Sequence, residues 1–171
     1  QSNRLSTTIV PIGPRSVALM NIYAPPSDTL YSLLYALDVM QSEESLRETY
    51  PFETPKGDTF SLQTATAAAQ LLEQYKPSLR RHWETYLDQA YDAESGFLRR
   101  DLALSGTKDI VKRESAFYDN VIFWRTTQLA QELGLISPEE FDLDAYRRRI
   151  LHAYWLPDEG YFLEDQSNRG R

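Results

Sequence analysis

Apolar residues recur every three or four positions along most of the chain after Ser27, which is the periodicity of amphipathic helices. The first run follows Pro25-Pro26-Ser27, and this serine is a favourable N-cap residue. The periodic runs predict five helices, with approximate bounds of 28–46, 61–75, 77–90, 114–133 and 142–155.

Specific residues mark several of these boundaries. Pro77 is expected to begin the third helix, because the first turn of a helix needs no N–H group from it. Gly134 is expected to follow the end of the fourth helix in a left-handed conformation. Ser137 and Glu140 form a capping box around Pro138, which predicts the start of a further helix.

Two stretches lack helical periodicity. Residues 7–20 contain β-branched and apolar runs broken by prolines and a glycine, which is typical of an extended arm or one short hairpin. Residues 48–60 contain two prolines and a glycine and are expected to form a loop. The predicted fold class is therefore all-α, with a short extended arm over residues 1–26 and a helical-hairpin domain over residues 27–171.

Two segments 64 residues apart align without a gap. They are YDAESGFLRRD at 91–101 and WLPDEGYFLED at 155–165. Each starts at an aromatic helix end and continues through an acidic turn, a glycine and an aromatic residue to an aspartate. A period of this size accommodates one pair of helices with its connections, so the alignment predicts an array or toroid built from αα-hairpins.

Charge and composition exclude several classes of function. The 171 residues suit one domain, and 18 Lys and Arg against 25 Asp and Glu give a net charge of −7, which argues against a nucleic-acid partner. No apolar run approaches the roughly 20 residues of a membrane span. Zero cysteines and two histidines argue against a metal site, and we expect neither a metal nor a cofactor. A cytoplasmic location is expected, with a periplasmic or secreted one left open.

Titratable side chains are concentrated in the segment 105–114, immediately before the fourth predicted helix. They include Lys108, Asp109, Arg113 and Glu114. A charged loop attached to a strongly apolar helix is typical of an active-site segment. It is equally typical of an ordinary exposed loop beside a core helix.

Three segments carry a family resemblance: HWETYLDQAYDAESGFLRRD, SGTKDIVKRESAFYDNVIFWRTTQLAQELG and AYWLPDEGYFLED. Over residues 62–165 they resemble consecutive pieces of the six-hairpin, (α/α)6-toroid glycosidases, which include trehalases, family 63 α-glucosidases and debranching-type hydrolases. The resemblance implies an incomplete (α/α)6 toroid that is part of a glycoside hydrolase. It implies cleavage of an α-linked glucoside or oligosaccharide with inversion. The carbohydrate substrate and the remainder of the same polypeptide are then the expected partners.

The resemblance also implies roles for individual residues. The family's catalytic acid is an Asp shortly after a Ser-Gly pair, with an Arg a few residues on. This chain has Ser105-Gly106 followed by Asp109 and Arg113, with one extra residue before the Asp and without the family's Trp. Asp109 is thus the implied general acid, and the general base is expected outside this chain, because inversion needs a second carboxylate. The implied substrate-binding residues are Lys108, Arg113, Glu114, Tyr118, Asp119 and Trp124.

A non-catalytic alternative stays open from the residues alone. The chain is then a helical-repeat interaction domain that binds a protein or peptide, or a sugar-binding scaffold without turnover. On a purely structural interpretation of the candidate residues, Arg113 and Asp119 form a salt bridge, Trp124 packs in the core, and the other charged residues, Lys108, Asp109, Lys112 and Glu114, form a solvated loop. An enzyme is expected to place Asp109 in a concave pocket, whereas an interaction domain is expected to expose apolar residues along its outer helices.

Overall fold

The computed structural model describes residues 8–13, 16–20, 27–42, 49–53, 59–102 and 113–167. Within these ranges the chain forms four α-helices: α1 (Ser27–Ser42), α2 (Thr64–Ala90), α3 (Phe117–Glu132) and α4 (Leu143–Tyr154). The strands are β1 (Thr8–Gly13), β2 (Ser16–Met20), β3 (Thr49–Glu53), β4 (Thr59–Gln63), β5 (Tyr91–Asp92), β6 (Phe97–Leu98), β7 (Trp155–Leu156) and β8 (Tyr161–Phe162).

The prediction of an all-α array, an incomplete (α/α)6 toroid, is wrong. The strands pair as four antiparallel two-stranded sheets, β1 with β2, β3 with β4, β5 with β6 and β7 with β8, so the described architecture mixes helices with small β-pairs. The strands β1 and β2 pair with a register shift between Pro11 and Gly13, whereas the predicted fold class had a short extended arm over residues 1–26. The expected loop over residues 48–60 contains most of the second hairpin. Both hairpins are rich in Thr, Val, Ile, Tyr or Phe, the residues that favour strands.

One continuous helix replaces the two predicted over residues 61–75 and 77–90. Pro77 lies inside α2 and does not begin a helix. It removes one backbone hydrogen bond and costs a free helix about 3 kcal/mol. The buried stripe that includes Ala68, Leu79, Trp83 and Tyr86 runs through it, and this packing offsets the loss.

Other helix boundaries agree with the sequence. The helix α1 is described from Ser27 to Ser42, for a predicted range of 28–46, and α4 matches its predicted bounds within one residue. Gly134 follows the C-cap of α3 with φ +65°. The N–H groups of Gly134 and Leu135 donate to the carbonyls of Gln131 and Ala130, which is a Schellman motif. The capping box of Ser137 and Glu140 is present and begins a 3-10 turn, Pro138–Glu140.

The core lies where the helices meet. The helix α1 packs against α2 and α3, and α3 also packs against α4. The largest fully buried side chains include Leu34 of α1, Phe123 and Leu129 of α3, and Tyr146 and Tyr154 of α4. This arrangement brings the beginnings of α1 and α3 to the same end of the molecule as the end of α2.

The two aligned segments form the same backbone turn. In the first turn (residues 91–98), the Gly96 N–H donates to Asp92 O at 2.8 Å. In the second turn (residues 155–162), the Gly160 N–H donates to Leu156 O, also at 2.8 Å. The two glycines have φ values of +73° and +72°. The two aligned segments are therefore two copies of one structural unit.

Candidate functional site at the ends of three helices

Two carboxylates and three tyrosines gather where α1 and α3 begin and α2 ends. Asp28 and Tyr31 lie near the start of α1, and Tyr118 and Asp119 lie in the first turn of α3. Tyr86 is one turn before the end of α2. These five residues are called the acidic-aromatic cluster below.

The charges of Asp28 and Asp119 bear on the pKa of both Tyr86 and Tyr118, and Tyr31 also affects that of Tyr118. Burial raises the pKa of the Tyr86 phenol well above its ordinary value, and the charges of Asp119 and Asp28 raise it further. The pKa of Tyr118 is raised as well, mainly by burial and then by the charges of Asp28 and Asp119. A nearby carboxylate disfavours a phenolate, so both hydroxyls stay protonated at neutral pH. The cluster thus presents hydroxyl donors beside carboxylate acceptors.

The cluster has a buried floor and an exposed edge. Asp119 and Tyr86 are buried, whereas Tyr118 is 52% exposed. The Tyr86 hydroxyl has no hydrogen-bond partner among the residues that the structure describes. Leaving a buried hydroxyl unpaired costs about 1–3 kcal/mol, so this group is suited to a polar ligand atom.

Both ends of the segment 103–112, which contains Asp109, are tied to one short stretch of chain. Before the segment, the Arg100 guanidinium donates to Gln166 Oε1 at 2.8 Å. After it, Arg113 Nε donates to Glu164 Oε1 at 2.8 Å. The described residues on either side of the segment therefore contact the same short stretch, residues 164–166, which begins two residues after the second turn.

Backbone strain marks the junction between that segment and α3. Ser115 is buried and has φ +49°, a left-handed conformation that is uncommon for residues other than glycine. Its carbonyl accepts a hydrogen bond from the Tyr154 hydroxyl, and its Oγ accepts one from Asn120 Nδ2 at 3.1 Å. Such strain persists only when surrounding contacts hold it, and it is commonest at functional sites.

Asn120 links three parts of the chain. Its Oδ1 accepts from the Tyr146 hydroxyl at 2.6 Å and from the Leu98 N–H at 3.1 Å. Its Nδ2 donates to Ala116 O at 2.8 Å and to the Tyr154 hydroxyl at 3.0 Å. The side chain is fully buried, so it holds the first turn, α3 and α4 in register.

Trp124 lies in a different concavity. It lines a cleft of about 620 Å³ between α3 and the start of α4, together with Gln128, Glu132, Phe141 and Asp142. The polar groups there serve the fold: Gln128 Nε2 donates to Glu132 Oε1 at 2.8 Å, and Asp142 Oδ1 accepts from the Ala145 N–H at 2.8 Å. No function is assigned to this cleft.

The structure divides the predicted site residues into three groups. Tyr118 and Asp119 belong to the acidic-aromatic cluster, and Trp124 lines the separate cleft. Arg113 and Glu114 brace the end of the Asp109 segment: Arg113 through its ion pair, and Glu114 through its backbone N–H, which donates to an aspartate after the second turn. Lys108 and Asp109 lie outside the described residues.

Asp28, Tyr31, Tyr86 and Asn120 were missed in the sequence. Asp28 and Tyr86 lie on different helices, and their meeting depends on how three helices pack. Asn120 carried a local signal. It is a polar residue that follows Asp119 directly, between the aromatic residues Phe117 and Phe123 of a strongly apolar helix.

Comparison with known proteins adds no relative. No family model, curated protein or solved structure matches the chain. Among the described residues, no group of three or more His, Cys, Asp or Glu side chains is placed to hold a metal ion. A search of the same residues finds no helix with the length and apolar character of a membrane span.

Proposed function

We propose that this chain is part of a glycoside hydrolase that cleaves an α-linked glucoside or oligosaccharide with inversion. Asp109 acts as the general acid, and the general base is contributed from outside this chain. The observation that carries the proposal is the acidic-aromatic cluster, which includes the first turn of α3. The segment that contains Asp109 comes shortly before α3 in the sequence. The rest of the same polypeptide and the carbohydrate are its partners.

The chemistry of the cluster suits a sugar. Aromatic rings such as Tyr118 stack on the C–H faces of a pyranose while their hydroxyls bind its oxygens. The Asp119 and Asp28 carboxylates accept hydrogen bonds from sugar hydroxyls, and the protonated Tyr86 hydroxyl donates one. This combination of apolar faces and a few convergent polar groups is typical of a ligand pocket.

The anchoring of the Asp109 segment also supports an acid role. A general acid must be held within hydrogen-bond reach of the leaving oxygen. Arg100 and Arg113, the described residues on either side of the segment, both donate to the stretch 164–166, so the two points between which the segment runs are held to one support. The strained Ser115 next to it is a further feature of functional segments.

The decisive test is Asp109→Asn in the complete protein. We expect turnover of an α-linked glucoside to fall by about 100-fold or more, because loss of a general acid typically removes a factor of about 10²–10⁴. Asp158→Asn, at an exposed acid of the second turn, is the matched control and should leave turnover unchanged. Proton NMR of the first product should show the β anomer. Unchanged turnover in a folded Asp109→Asn protein would disprove the acid assignment.

Sugar binding tests the cluster separately from catalysis. Tyr118 and Tyr161 are 52% and 54% exposed, so they form a matched pair of tyrosines inside and outside the cluster. Titration calorimetry with an α-linked glucose disaccharide should show about 10-fold weaker binding for Tyr118→Ala, equivalent to about 1.4 kcal/mol. Tyr161→Ala should bind like the unmodified chain. Equal affinity in all three proteins would place the sugar elsewhere.

One observation favours the interaction-domain alternative. Trp155, Tyr161 and Phe162 are exposed on the second turn, and large exposed aromatic side chains in one place are typical of protein-binding surfaces. This function requires no sugar binding. Absence of any heat of sugar binding, with a folded chain, would favour it over the hydrolase.

A further inference from the structure

One buried hydroxyl group, that of Tyr154 at the end of α4, uses all of its hydrogen-bonding capacity. It donates to the carbonyl of Ser115, and it accepts from Asn120 Nδ2 and from Gln166 Nε2, each at 3.0 Å. A phenol has one proton to donate and two lone pairs that accept, so these three bonds occupy every position on the oxygen. Tyr154 is fully buried, and its hydroxyl therefore connects parts of the chain to one another.

Two of these bonds lead to opposite sides of the segment 103–112. Ser115 follows the segment in the sequence. On the other side, Gln166 Oε1 accepts from the guanidinium of Arg100, which precedes the segment, at 2.8 Å. Arg100 and Ser115 are thus connected by three consecutive hydrogen bonds, through the Gln166 side chain and the Tyr154 hydroxyl.

The two sides of the segment depend on Tyr154 to different degrees. On the side that follows, the Gln166 N–H donates to Glu114 O and the Phe117 N–H donates to Glu164 O, both at 2.9 Å, and neither bond involves Tyr154. On the side that precedes, Arg100 reaches the same stretch through the side-chain amide of Gln166. Without the phenol, this amide loses an acceptor that orients it, and its contact with Arg100 becomes weaker.

The same hydroxyl holds the strained residue at the junction with α3. Ser115 is buried and has φ +49°. Such a conformation persists only while surrounding contacts hold it, and the Tyr154 hydroxyl supplies a donor to its carbonyl. Loss of this donor favours relaxation of the backbone at Ser115, immediately after the segment.

We propose that Tyr154 is a positioning residue for the reaction. Its hydroxyl takes no part in the chemistry. It acts through Ser115 and Gln166, and thereby holds together the two points between which the segment that contains Asp109 runs. The inference rests on the proposed function, because such positioning matters only if Asp109 must be held within hydrogen-bond reach of the leaving oxygen.

The test is Tyr154→Phe in the complete protein, which removes the hydroxyl and keeps the ring. We expect kcat for an α-linked glucoside to fall about 10-fold and KM to change by less than about 2-fold. Displacement of a catalytic group slows the chemical step, whereas no contact with the substrate is removed.

Tyr146→Phe is the matched control on the same helix. It also removes a buried hydroxyl that bonds to Asn120, at 2.6 Å, but among the described residues this hydroxyl bonds to neither side of the segment. Its kcat should stay within about 2-fold of the unmodified protein. Urea unfolding of both variants establishes that they are folded under the assay conditions and compares their losses of stability.

Gln166→Leu keeps the test valid if Tyr154→Phe does not fold. Gln166 is only partly buried, and its backbone bond to Glu114 remains, so folding should be retained. The substitution breaks the connection to Arg100 and should lower kcat to a similar extent as Tyr154→Phe. The double variant should be no slower than the slower single variant, because both substitutions break one path.

Three results would each overturn the positioning role: unchanged kcat in folded Tyr154→Phe, an equal loss in Tyr146→Phe, or losses that multiply in the double variant. The proposed function fails by a different result, which is full turnover in folded Asp109→Asn. Full turnover in Tyr154→Phe together with a large loss in Asp109→Asn overturns the positioning role alone. Absence of turnover in the unmodified complete protein would overturn both.

Discussion

The two turns of this chain have one backbone and two environments. In each, a two-residue strand at a helix end pairs with a second two-residue strand across a glycine with positive φ. Two backbone hydrogen bonds of the first turn, from the N–H groups of Gly96 and Arg99, have counterparts in the second, from those of Gly160 and Leu163. Yet Leu98 is buried in the core while its counterpart Phe162 is exposed. The difference teaches that local sequence determines the turn, whereas the elements packed over it determine how much stability its side chains contribute.

The largest loss of stability is expected from a change at Asn120, whose side chain links the first turn to α3 and α4 by hydrogen bonds. Asn120→Ala removes the acceptor for the Tyr146 hydroxyl and the Leu98 N–H, both buried, and leaves a cavity. We expect about 4 kcal/mol less stability, since each unpaired buried group costs about 1–3 kcal/mol. Urea unfolding measures the loss, with Glu159→Ala in the exposed second turn as a control near zero. A loss below about 1 kcal/mol would show that the first turn is held mainly by ring packing.

Truncation of one counterpart side chain in each turn compares the two environments directly. Leu98→Ala should cost about 3 kcal/mol, because it deletes a side chain that is fully enclosed. Phe162→Ala deletes more atoms but should cost only about 1 kcal/mol, because the ring keeps contact with water and packs mainly on Phe117 and Trp155. Side-chain size alone predicts the reverse order. Thermal and urea unfolding of both variants would decide between size and enclosure.

Alkaline pH should weaken the support beneath the first turn. Burial is the main cause that raises the pKa of Tyr146 well above its ordinary value, and it also raises the pKa of Tyr154. The unfolded phenols ionise from about pH 10 while the folded ones remain protonated, so the stabilisation is complete below pH 10 and falls as the pH rises towards the folded values. Each phenol contributes a slope of about 1.4 kcal/mol per pH unit.

The comparison variant for this pH effect is Tyr146→Phe. It lowers stability at neutral pH, because the hydrogen bond to Asn120 is lost. Above pH 10 it should also reduce the slope of the unfolding free energy against pH by the contribution of about one proton. Urea titrations at several pH values between 9 and 11 measure the slope. An unchanged slope would mean that this phenol ionises alike in the folded and unfolded chain.

Local features of the fold were predictable from the sequence because their causes are local. The Gly134 helix end, the Ser137 capping box and the repeated turn each depend on a few adjacent residues. The continuation of α2 through Pro77 was not predictable in this way. It depends on burial of Trp83 and Tyr86 against α3, where Trp83 Nε1 donates to Thr127 and Tyr86 packs on Phe123.

The candidate site was predictable only in part for the same reason. Tyr118 and Asp119 were singled out beside a charged segment, and the structure places both in the cluster. Trp124 was grouped with them, but six residues of helix advance it by about 9 Å and turn it by about 240° from Tyr118, so it reaches the other cleft. The other cluster residues Asp28 and Tyr86 lie in α1 and α2, and they approach Tyr118 and Asp119 only because these helices pack beside the start of α3.

The smallest effect compares the two glycines. Alanine at Gly96 or Gly160 must adopt φ near +73° or +72°, which costs about 1 kcal/mol at either position. At Gly96 the new Cβ also meets Arg149, whose guanidinium donates to the Tyr91 hydroxyl at 3.3 Å. Gly96→Ala should therefore be worse than Gly160→Ala by a few tenths of a kcal/mol, because a flexible side chain yields at modest cost.

A double-mutant cycle assigns that difference to its cause. In an Arg149→Ala background the two glycine substitutions should cost about the same, because the nearest neighbour of the Cβ at position 96 is gone. The free energies of unfolding of six proteins complete the comparison. If the difference persists without Arg149, the first turn itself is less tolerant of alanine. If the two glycine substitutions cost the same stability even with Arg149 present, then Arg149 does not restrict the side chain at position 96. In that case α4 covers the first turn through its aromatic rings.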